Sequence, residues 1–371
     1  MKILFYINAI HHGGAERVIC NLATQFSEHG DDCILTTSFR DNWEYHFGEK
    51  VRRIALFESQ LNYGFLRRNI SLIRRLRKIL KIEKPDVVVS FMAEPNFRTL
   101  IATRGLNVKT IVSVRNDPNK EYPNFIYRFL AKHLYKKADG IVFQTEDAQK
   151  WFPKSIQKKS KIIFNQVDEV FYNTIYNGER HDIVTTGRLV AQKNHKMLIR
   201  AFAAIADKIS DNLIIYGEGE LRGELESLIA ELHLENRVFL PGSVKNVADT
   251  IKSAKLFVLS SDYEGMPNSL MEAMALGIPC ISTDCPCGGP RMLFDDDLKE
   301  YLVPLQQKSA LSDLMFKVVK LMEAGDSRIN FTMRDHAISF MPNRVYQEWH
   351  EFLCYGIISI DENEGYTNEV S

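Results

Sequence analysis

Short apolar runs, each followed by a turn and then by residues of helical periodicity, recur from one end of the chain to the other. They predict strands at 2–8, 33–38, 86–91, 110–114 and 140–144, and a second series at 182–187, 212–217, 237–240, 256–260, 279–283 and 300–303. Strands that alternate with helices build doubly wound parallel sheets, so the expected class is α/β with two Rossmann-like domains facing across a cleft. The polar stretch Asn173-Thr174-Ile175-Tyr176-Asn177-Gly178-Glu179-Arg180 separates the two series and reads as a linker. An N-terminal domain is expected at 1–172 and a C-terminal domain at 180–340. A helix at 341–358, with Tyr346, Trp349, Phe352 and Leu353 at helical spacing, is expected to pack across both, ahead of a mobile acidic tail at 359–371. Ligands of such sheets bind beyond the carboxyl ends of the strands.

The candidate chemistry falls there. In Ser260-Ser261-Asp262-Tyr263-Glu264-Gly265-Met266-Pro267-Asn268-Ser269-Leu270-Met271-Glu272, Glu264 closes a strand, the next residues form a turn and a helix start, and Glu272 lies about a turn inside the helix. Amides at a helix start carry partial positive charge and hold phosphate, while carboxylates accept hydroxyls. A diphosphate with a sugar at each end suits that pattern, although two surface glutamates beside a turn would read the same in isolation. Gly187-Arg188-Leu189 follows another apolar run, with Lys193 ahead of a helical stretch at 196–209. A guanidinium fork and an ammonium at a strand end can clamp a diphosphate, or stand as a solvated pair. The first strand runs into Ile10-His11-His12-Gly13-Gly14-Ala15-Glu16 and a helix at 17–29, where the glycines allow close backbone approach or simply a tight turn.

Together these segments, with Gly13-Gly14-Ala15-Glu16-Arg17-Val18 and Pro279-Cys280-Ile281-Ser282-Thr283-Asp284, resemble the retaining glycosyltransferases of family 4, which have the GT-B fold. The resemblance implies that Arg188 and Lys193 hold the donor diphosphate and that Glu272 takes the ribose hydroxyls. It places Glu264, the third catalytic candidate, against the transferred sugar. Backbone around Gly265, Met266, Pro267, Asn268 and Ser269 would cradle phosphate, with Gly13 and Gly14 closing from the other domain. It further implies a hexose or N-acetylhexosamine moved from a nucleotide sugar, UDP by expectation, to a saccharide acceptor that is lipid-linked, in bacterial surface polysaccharide or glycan synthesis.

Many family members carry a histidine after the fourth or fifth strand, where this chain reads Ser113-Val114-Arg115-Asn116-Asp117-Pro118. A guanidinium stays protonated and cannot serve as a base at neutral pH. Arg115 and Asn116, with His11 and His12 in the glycine loop, are left as contacts for phosphate or acceptor. Cys287-Gly288-Gly289-Pro290-Arg291 either borders the donor sugar or makes a simple turn. A sugar-nucleotide epimerase on the same fold and a non-catalytic nucleotide-sugar scaffold remain as alternatives. Gly217-Glu218-Gly219-Glu220-Leu221-Arg222-Gly223 has the glycine pattern of dinucleotide-binding dehydrogenases, yet lies in the second domain and would bring Glu218 and Glu220 toward a pyrophosphate.

Composition narrows the reading. A chain of 371 residues, 45% hydrophobic and 25% charged, suits two globular domains. Six cysteines without paired ligand spacing predict reduced thiols, and no run long enough to span a membrane and no signal peptide is read, so a cytoplasmic location is expected. No Asp-x-Asp sequence stands in a plausible metal-holding place, Asp295-Asp296-Asp297 reads as a solvated turn, and no cofactor or metal is expected. The neutral total hides an asymmetry: residues 1–171 hold 28 lysines and arginines against 18 acids, and residues 172–371 hold 19 against 29. Much of the basic excess lies in a predicted helix at 67–81 with Leu72, Leu76, Ile79 and Leu80 at helical spacing, and in Arg128, Lys132, Lys136 and Lys137. Such a face suits an anionic membrane surface, or else the apolar stripe is core and the cations are solvated. Aromatic interleaving is missing from 67–81, which argues against nucleic acid.

Overall fold

The structure, a computed structural model, describes residues 1–11 and 13–355. It contains two wholly parallel sheets. The first comprises β1 (Lys2–Ile7), β2 (Asp32–Phe39), β3 (Arg52–Phe57), β4 (Val87–Phe91), β5 (Lys109–Ser113), β6 (Gly140–Phe143) and β7 (Ser160–Ile162), in the order β3-β2-β1-β4-β5-β6-β7. The second comprises β8 (His181–Thr186), β9 (Leu213–Tyr216), β10 (Val238–Gly242), β11 (Ala254–Leu259), β12 (Cys280–Thr283) and β13 (Leu302–Val303), in the order β10-β9-β8-β11-β12-β13. Two doubly wound domains facing each other make the GT-B fold.

The central strands are covered on both faces, so they are continuous apolar runs. In β1, Ile3, Phe5 and Ile7 enter one core and Leu4 and Tyr6 the other. Leu4 is in register with Ile34 of β2 and Val88 of β4. The two strands that the apolar pattern does not predict, β3 and β7, are edges of the first sheet. β3 opens on Arg52-Arg53, and β7 is three partly buried residues, so neither shows a buried run. The helical stretch expected at 196–209 is an α-helix only over His195–Ala203, followed by a 3-10 turn at Ala206–Lys208.

The chain leaves the first core after Ile163 and enters the second at Val167, Phe171 and Tyr172. The polar stretch 173–180 is therefore already part of the second domain, where Arg180 donates to the carbonyls of Lys252 and Ala254 at 2.8 and 3.1 Å. The return lies alongside: Phe340 belongs to the second core, and its carbonyl accepts the Val167 amide at 3.0 Å. Two adjacent crossings join the domains. Beyond them, helix Pro342–Tyr355 packs into the first domain, inserting Val345, Trp349, Phe352 and Leu353 among Phe5, Phe26 and Phe91, and does not lie across both domains. Residues 356–358 of the expected helix, the tail at 359–371 and His12 lie outside the described residues.

The basic segment is helix α2 (Phe65–Glu83), following α1 (Gly14–Glu28), and its apolar stripe is core: Leu72, Leu76 and Leu80 are buried and Ile79 packs against them. Arg67, Arg74 and Arg75 remain exposed. α2 lies on α3 (Ala93–Ala102), which also contacts α5 (Phe125–Leu134), with the short α4 (Pro118–Glu121) between. All six cysteines are free, and no helix among the described residues is long and apolar enough to cross a membrane.

Candidate active site

The carboxyl ends of both sheets meet in a cleft with two adjoining cavities of about 310 and 390 Å³. The described candidates from the sequence all line one or both. Lys193, Pro267, Ser269 and Glu272 line the first, His11, Arg115, Asn116 and Gly265 the second, and Gly13, Gly14, Arg188, Glu264, Met266 and Asn268 line both.

Three local devices hold this set. The loop after β8 is fastened to the loop after β11: Ser260 Oγ donates to Lys193 O at 2.8 Å, the Asp262 amide to Gln192 O at 2.8 Å, and Gln192 Nε2 to Tyr263 O at 2.9 Å. Asn194, in the left-handed region at φ 46°, caps the next helix by accepting from the Met197 amide and reaches Asp262 at 2.8 Å. The glycine pattern at 217–223 braces the same loop from behind, with the Leu189 amide bonded to Glu218 O and the Leu221 amide to Leu189 O. A Cβ on Gly217 would stand 1.9 Å from Gly187 O, so glycine is needed there for backbone approach, and Glu218 is bonded to Arg222 rather than facing a phosphate. Pro286 and Cys287, ahead of a short helix at Gly289–Leu293, support Glu264, whose amide donates to Pro286 O at 2.6 Å and whose carbonyl accepts the Cys287 amide at 2.7 Å.

Glu264 is held by two donors from its own domain. Lys193 Nζ lies 2.6 Å from its Oε1, and Ser261 Oγ donates to the same oxygen at 2.7 Å. Glu272, on helix Asn268–Ala275, is buried and bound by Arg17 of α1, a contact between the two domains. Arg188 lines both cavities and makes no ion pair among the described residues. Helix Asn268–Ala275 begins in the cleft, where its first amides lack intrahelical acceptors, and Ser269 Oγ is shielded from solvent without a hydrogen-bond partner. A guanidinium fork, an ammonium, free amides and an orphan hydroxyl around one space are groups able to hold an anion. Burial holds the neighbouring His195 ring down at about 4, so it is neutral, and its Nε2 lies 3.3 Å from Arg188 O. It fixes the backbone that carries the guanidinium.

From the first domain, Arg115 is buried over the Phe91 ring at 4.4 Å and donates to Asn165 Oδ1. Gln144 Nε2 donates to the same oxygen at 2.6 Å, and Asn165 Nδ2 donates to Asn268 Oδ1 at 2.6 Å. This relay joins the first domain to the helix start of the second. Burial pulls the Arg115 guanidinium down to about 9, which still leaves it charged at neutral pH and unsuited as a base. Beside it, burial pushes the Glu121 carboxyl up to about 8, opposed by nearby backbone N–H groups of Arg115, Ala93 and Asn116 that do not close to hydrogen bonds. Glu16 is also raised, first by burial, and lines the cleft near Arg188. His11 pairs with Asp41 at 3.1 Å.

Arg17, Gln144, Asn165, Gln192 and His195 are site residues to which the sequence reading gives no role. Gln144 sits at a strand end and Asn165 just past one, the position rule that found the others, but Asn165 follows the unpredicted β7. Asp295, Asp297 and His336 bring ligand atoms within 4.8 Å of one another, with both aspartates exposed, and none lines the cleft.

Residues 12–170 match the family model of Glycosyltransferase Family 4, and residues 168–331 that of Glycosyl transferases group 1. A glycosyltransferase of Methanocaldococcus jannaschii is 35% identical over 257 residues, 61% of this chain and 63% of that protein. The N-acetylgalactosamine-N,N′-diacetylbacillosaminyl-diphospho-undecaprenol 4-alpha-N-acetylgalactosaminyltransferase of Campylobacter jejuni is 29% identical over 352 residues, 88% of this chain and 91% of that one. The solved structure of Anabaena HepE in complex with UDP superposes with a TM-score of 0.80 at 18% identity, covering 95% of this chain and 99% of that one, and so has the same fold.

Proposed function

Because the chain belongs to the group 1 glycosyltransferases, with a family 4 first domain, we propose that its cleft moves a hexose or N-acetylhexosamine from a UDP-sugar to a lipid-linked saccharide with retention. The observation that carries this reading is the gathering of Arg188, Lys193, Glu264 and Glu272 around one space at a helix start. The Campylobacter relative is named for a diphospho-undecaprenol acceptor, and the HepE structure holds UDP.

In this reading the diphosphate lies between Arg188, Lys193 and the amides of the 268–275 helix, and Glu272 takes ribose hydroxyls. Glu264 accepts from a hydroxyl of the transferred sugar. As the bond from the anomeric carbon to the phosphate oxygen breaks, charge grows on the leaving group, where those fixed cations are worth most. The acceptor oxygen bonds to that carbon on the same face, and its proton passes to the departing phosphate oxygen. This chain's residues supply charge, so the step is proposed to need neither a side-chain base nor a divalent metal.

Delivery of the acceptor is assigned to the basic first domain, resting on the inner face of the cytoplasmic membrane. Phe65 and Leu66 at the start of α2, and Phe125, Ile126 and Phe129 on α5, are exposed beside Arg67, Arg74 and Arg128. Apolar side chains ringed by cations suit an anionic bilayer surface. The test is calorimetric titration with UDP and with other nucleoside diphosphates, followed by mass analysis of lipid-linked acceptors incubated with UDP-sugars. Binding of UDP and an acceptor heavier by one hexosyl or N-acetylhexosaminyl unit are expected. Free sugar interconverted without transfer would point to epimerisation instead.

A further inference from the structure

Next to the cleft lies a separate polar cavity of about 430 Å³, at the carboxyl ends of β1, β2 and β3 and walled by α2 and α3. We propose that it binds a neutral sugar unit of the acceptor, one removed from the sugar that carries the attacked hydroxyl. The proposal rests on the transferase reading and adds a second saccharide subsite to it.

The cavity adjoins the catalytic space, since His11 lines both. Its floor is built and rigid. Arg98 is 3% exposed and its donors are fixed, with Nε on Asn69 Oδ1 at 2.7 Å, one terminal nitrogen on Asn8 Oδ1 at 2.5 Å and the other on Glu94. Ser38 Oγ also donates to Asn8 Oδ1, at 3.0 Å, and Tyr127 donates to Glu94 Oε1 at 3.0 Å. With its oxygen doubly taken, Asn8 keeps its amide N–H groups, which no bond among the described residues uses. Arg68 lines the wall, and its Nε is shielded from solvent without a hydrogen-bond partner. A buried donor without a partner costs roughly 1–3 kcal/mol unless a ligand satisfies it.

The charges select the ligand class. Arg40, Arg68 and Arg98 face Asp41, Glu58 and Glu94 across the cavity, three cations against three anions. Arg40 pairs with Glu58 at 3.0 Å, and Arg98 pairs with Glu94. A balanced wall gives an anion no net attraction, whereas the first cavity of the cleft sets Arg17, Arg188 and Lys193 against Glu264 and Glu272 alone. Fixed carboxylates beside fixed N–H donors suit adjacent sugar hydroxyls, each of which donates and accepts. Phe39 supplies an apolar wall for the C–H face of a pyranose. The volume lies at the lower end of ligand pockets, enough for one sugar ring.

The experiment uses octyl N-acetylglucosaminide and octyl N,N′-diacetylchitobioside as probes, with saturation-transfer NMR titrations on the full chain loaded with UDP. Wild type is expected to hold the disaccharide at least tenfold tighter than the monosaccharide. Arg68→Ala and Glu58→Gln are expected to abolish that ratio while leaving monosaccharide and UDP affinities within twofold. Glu58 stands at the rim with an exposed side chain, so its variant tests the site without endangering the fold. Equal affinity for both probes in wild type, or variants that keep the ratio, overturns the proposal. So does displacement of the disaccharide by octyl diphosphate in UDP-loaded protein, which would make the cavity an anion site. Failure of wild type to bind UDP strikes instead at the transferase reading on which the subsite depends.

Discussion

Arg17, in the first turn of α1, forms an ion pair with Glu272, 255 positions later and in the other domain. The carboxylate assigned to the ribose is thus bonded to a cation of the other domain, and the pair bridges the two domains. Donor entry and this bridge compete for one acceptor. Arg17→Gln leaves Glu272 buried without its cation, so a ribose that bonds to it relieves an unpaired charge. Arg17 is 38% exposed at its side chain, so the effect is screened by solvent and comes to about 1 kcal/mol, or about fivefold tighter UDP binding. Glu272→Gln should weaken UDP tenfold or more, because hydrogen bonds to a charged acceptor are worth roughly 1.5–3 kcal/mol. Calorimetric titration with UDP checks both, and Arg17→Gln with unchanged affinity would show that the pair does not gate the site.

Glu264 and Lys193 behave differently, because their pair lies within one domain and faces the transferred sugar. Glu264→Gln keeps an acceptor for Ser261 and Lys193 but removes the negative charge. Turnover is expected to fall by about 10²–10³, the scale for one group aimed at developing charge. UDP affinity should stay within twofold, since the glutamate is not assigned to the nucleotide. Lys193→Ala also strips the partner from a buried carboxylate and should cost both turnover and stability, by roughly 3–5 kcal/mol at most. Single-turnover kinetics beside denaturant melts separate the two effects.

The sequence carried the strand ends well because a buried run followed by glycine and a capping residue is a local signal. Gly265-Met266-Pro267-Asn268 and Gly187-Arg188 are legible for that reason, and each lies where the rule for parallel sheets puts a ligand. What stayed hidden is contact between distant segments. Nothing near Arg17 points to Glu272, and Asn165 gains meaning only when Arg115, Gln144 and Asn268 close around it. Edge strands were lost because only one flank is covered and their composition is mixed. The amphipathic stripe of α2 was read from periodicity, which registers an apolar face without saying what covers it. Leu72, Leu76 and Leu80 cover the first sheet, so the buried stripe is not available to lipid, and the exposed apolar residues at the start of that helix and on α5 are the ones assigned to it.

Those residues give a direct test. Phe125 is 79% exposed and Phe129 58%, so Phe125→Ser with Phe129→Ser should leave the melting temperature unchanged. Co-sedimentation with vesicles containing phosphatidylglycerol is expected to fall at least tenfold, given about 0.8 kcal/mol for each CH2 buried. Arg67→Gln with Arg74→Gln should weaken binding further, at roughly 1 kcal/mol per charge, and flatten its salt dependence. Binding that ignores both substitutions and the anionic lipid fraction would remove the membrane from the account.

The buried carboxyl behind Arg115 sets a pH dependence whose sign can be worked out. Glu121 titrates near 8 in the folded protein against 4.5 for an ordinary glutamate, and burial is the main cause. Between those values the folded state keeps a proton that the unfolded state has released. Stability therefore falls as pH rises through that interval and levels off above about 8. Glu121→Gln is neutral throughout and loses this slope, so its advantage over wild type should grow with pH to about 1–3 kcal/mol at pH 9. Below pH 5 the two proteins should match. Arg115 remains a cation over nearly all of this range, so activity measured at saturating substrates should not follow the same curve. Urea melts at four pH values from 5 to 9 would reveal it, and parallel stability profiles for the two proteins would mean that Glu121 is ionised in the fold and paired with Arg115.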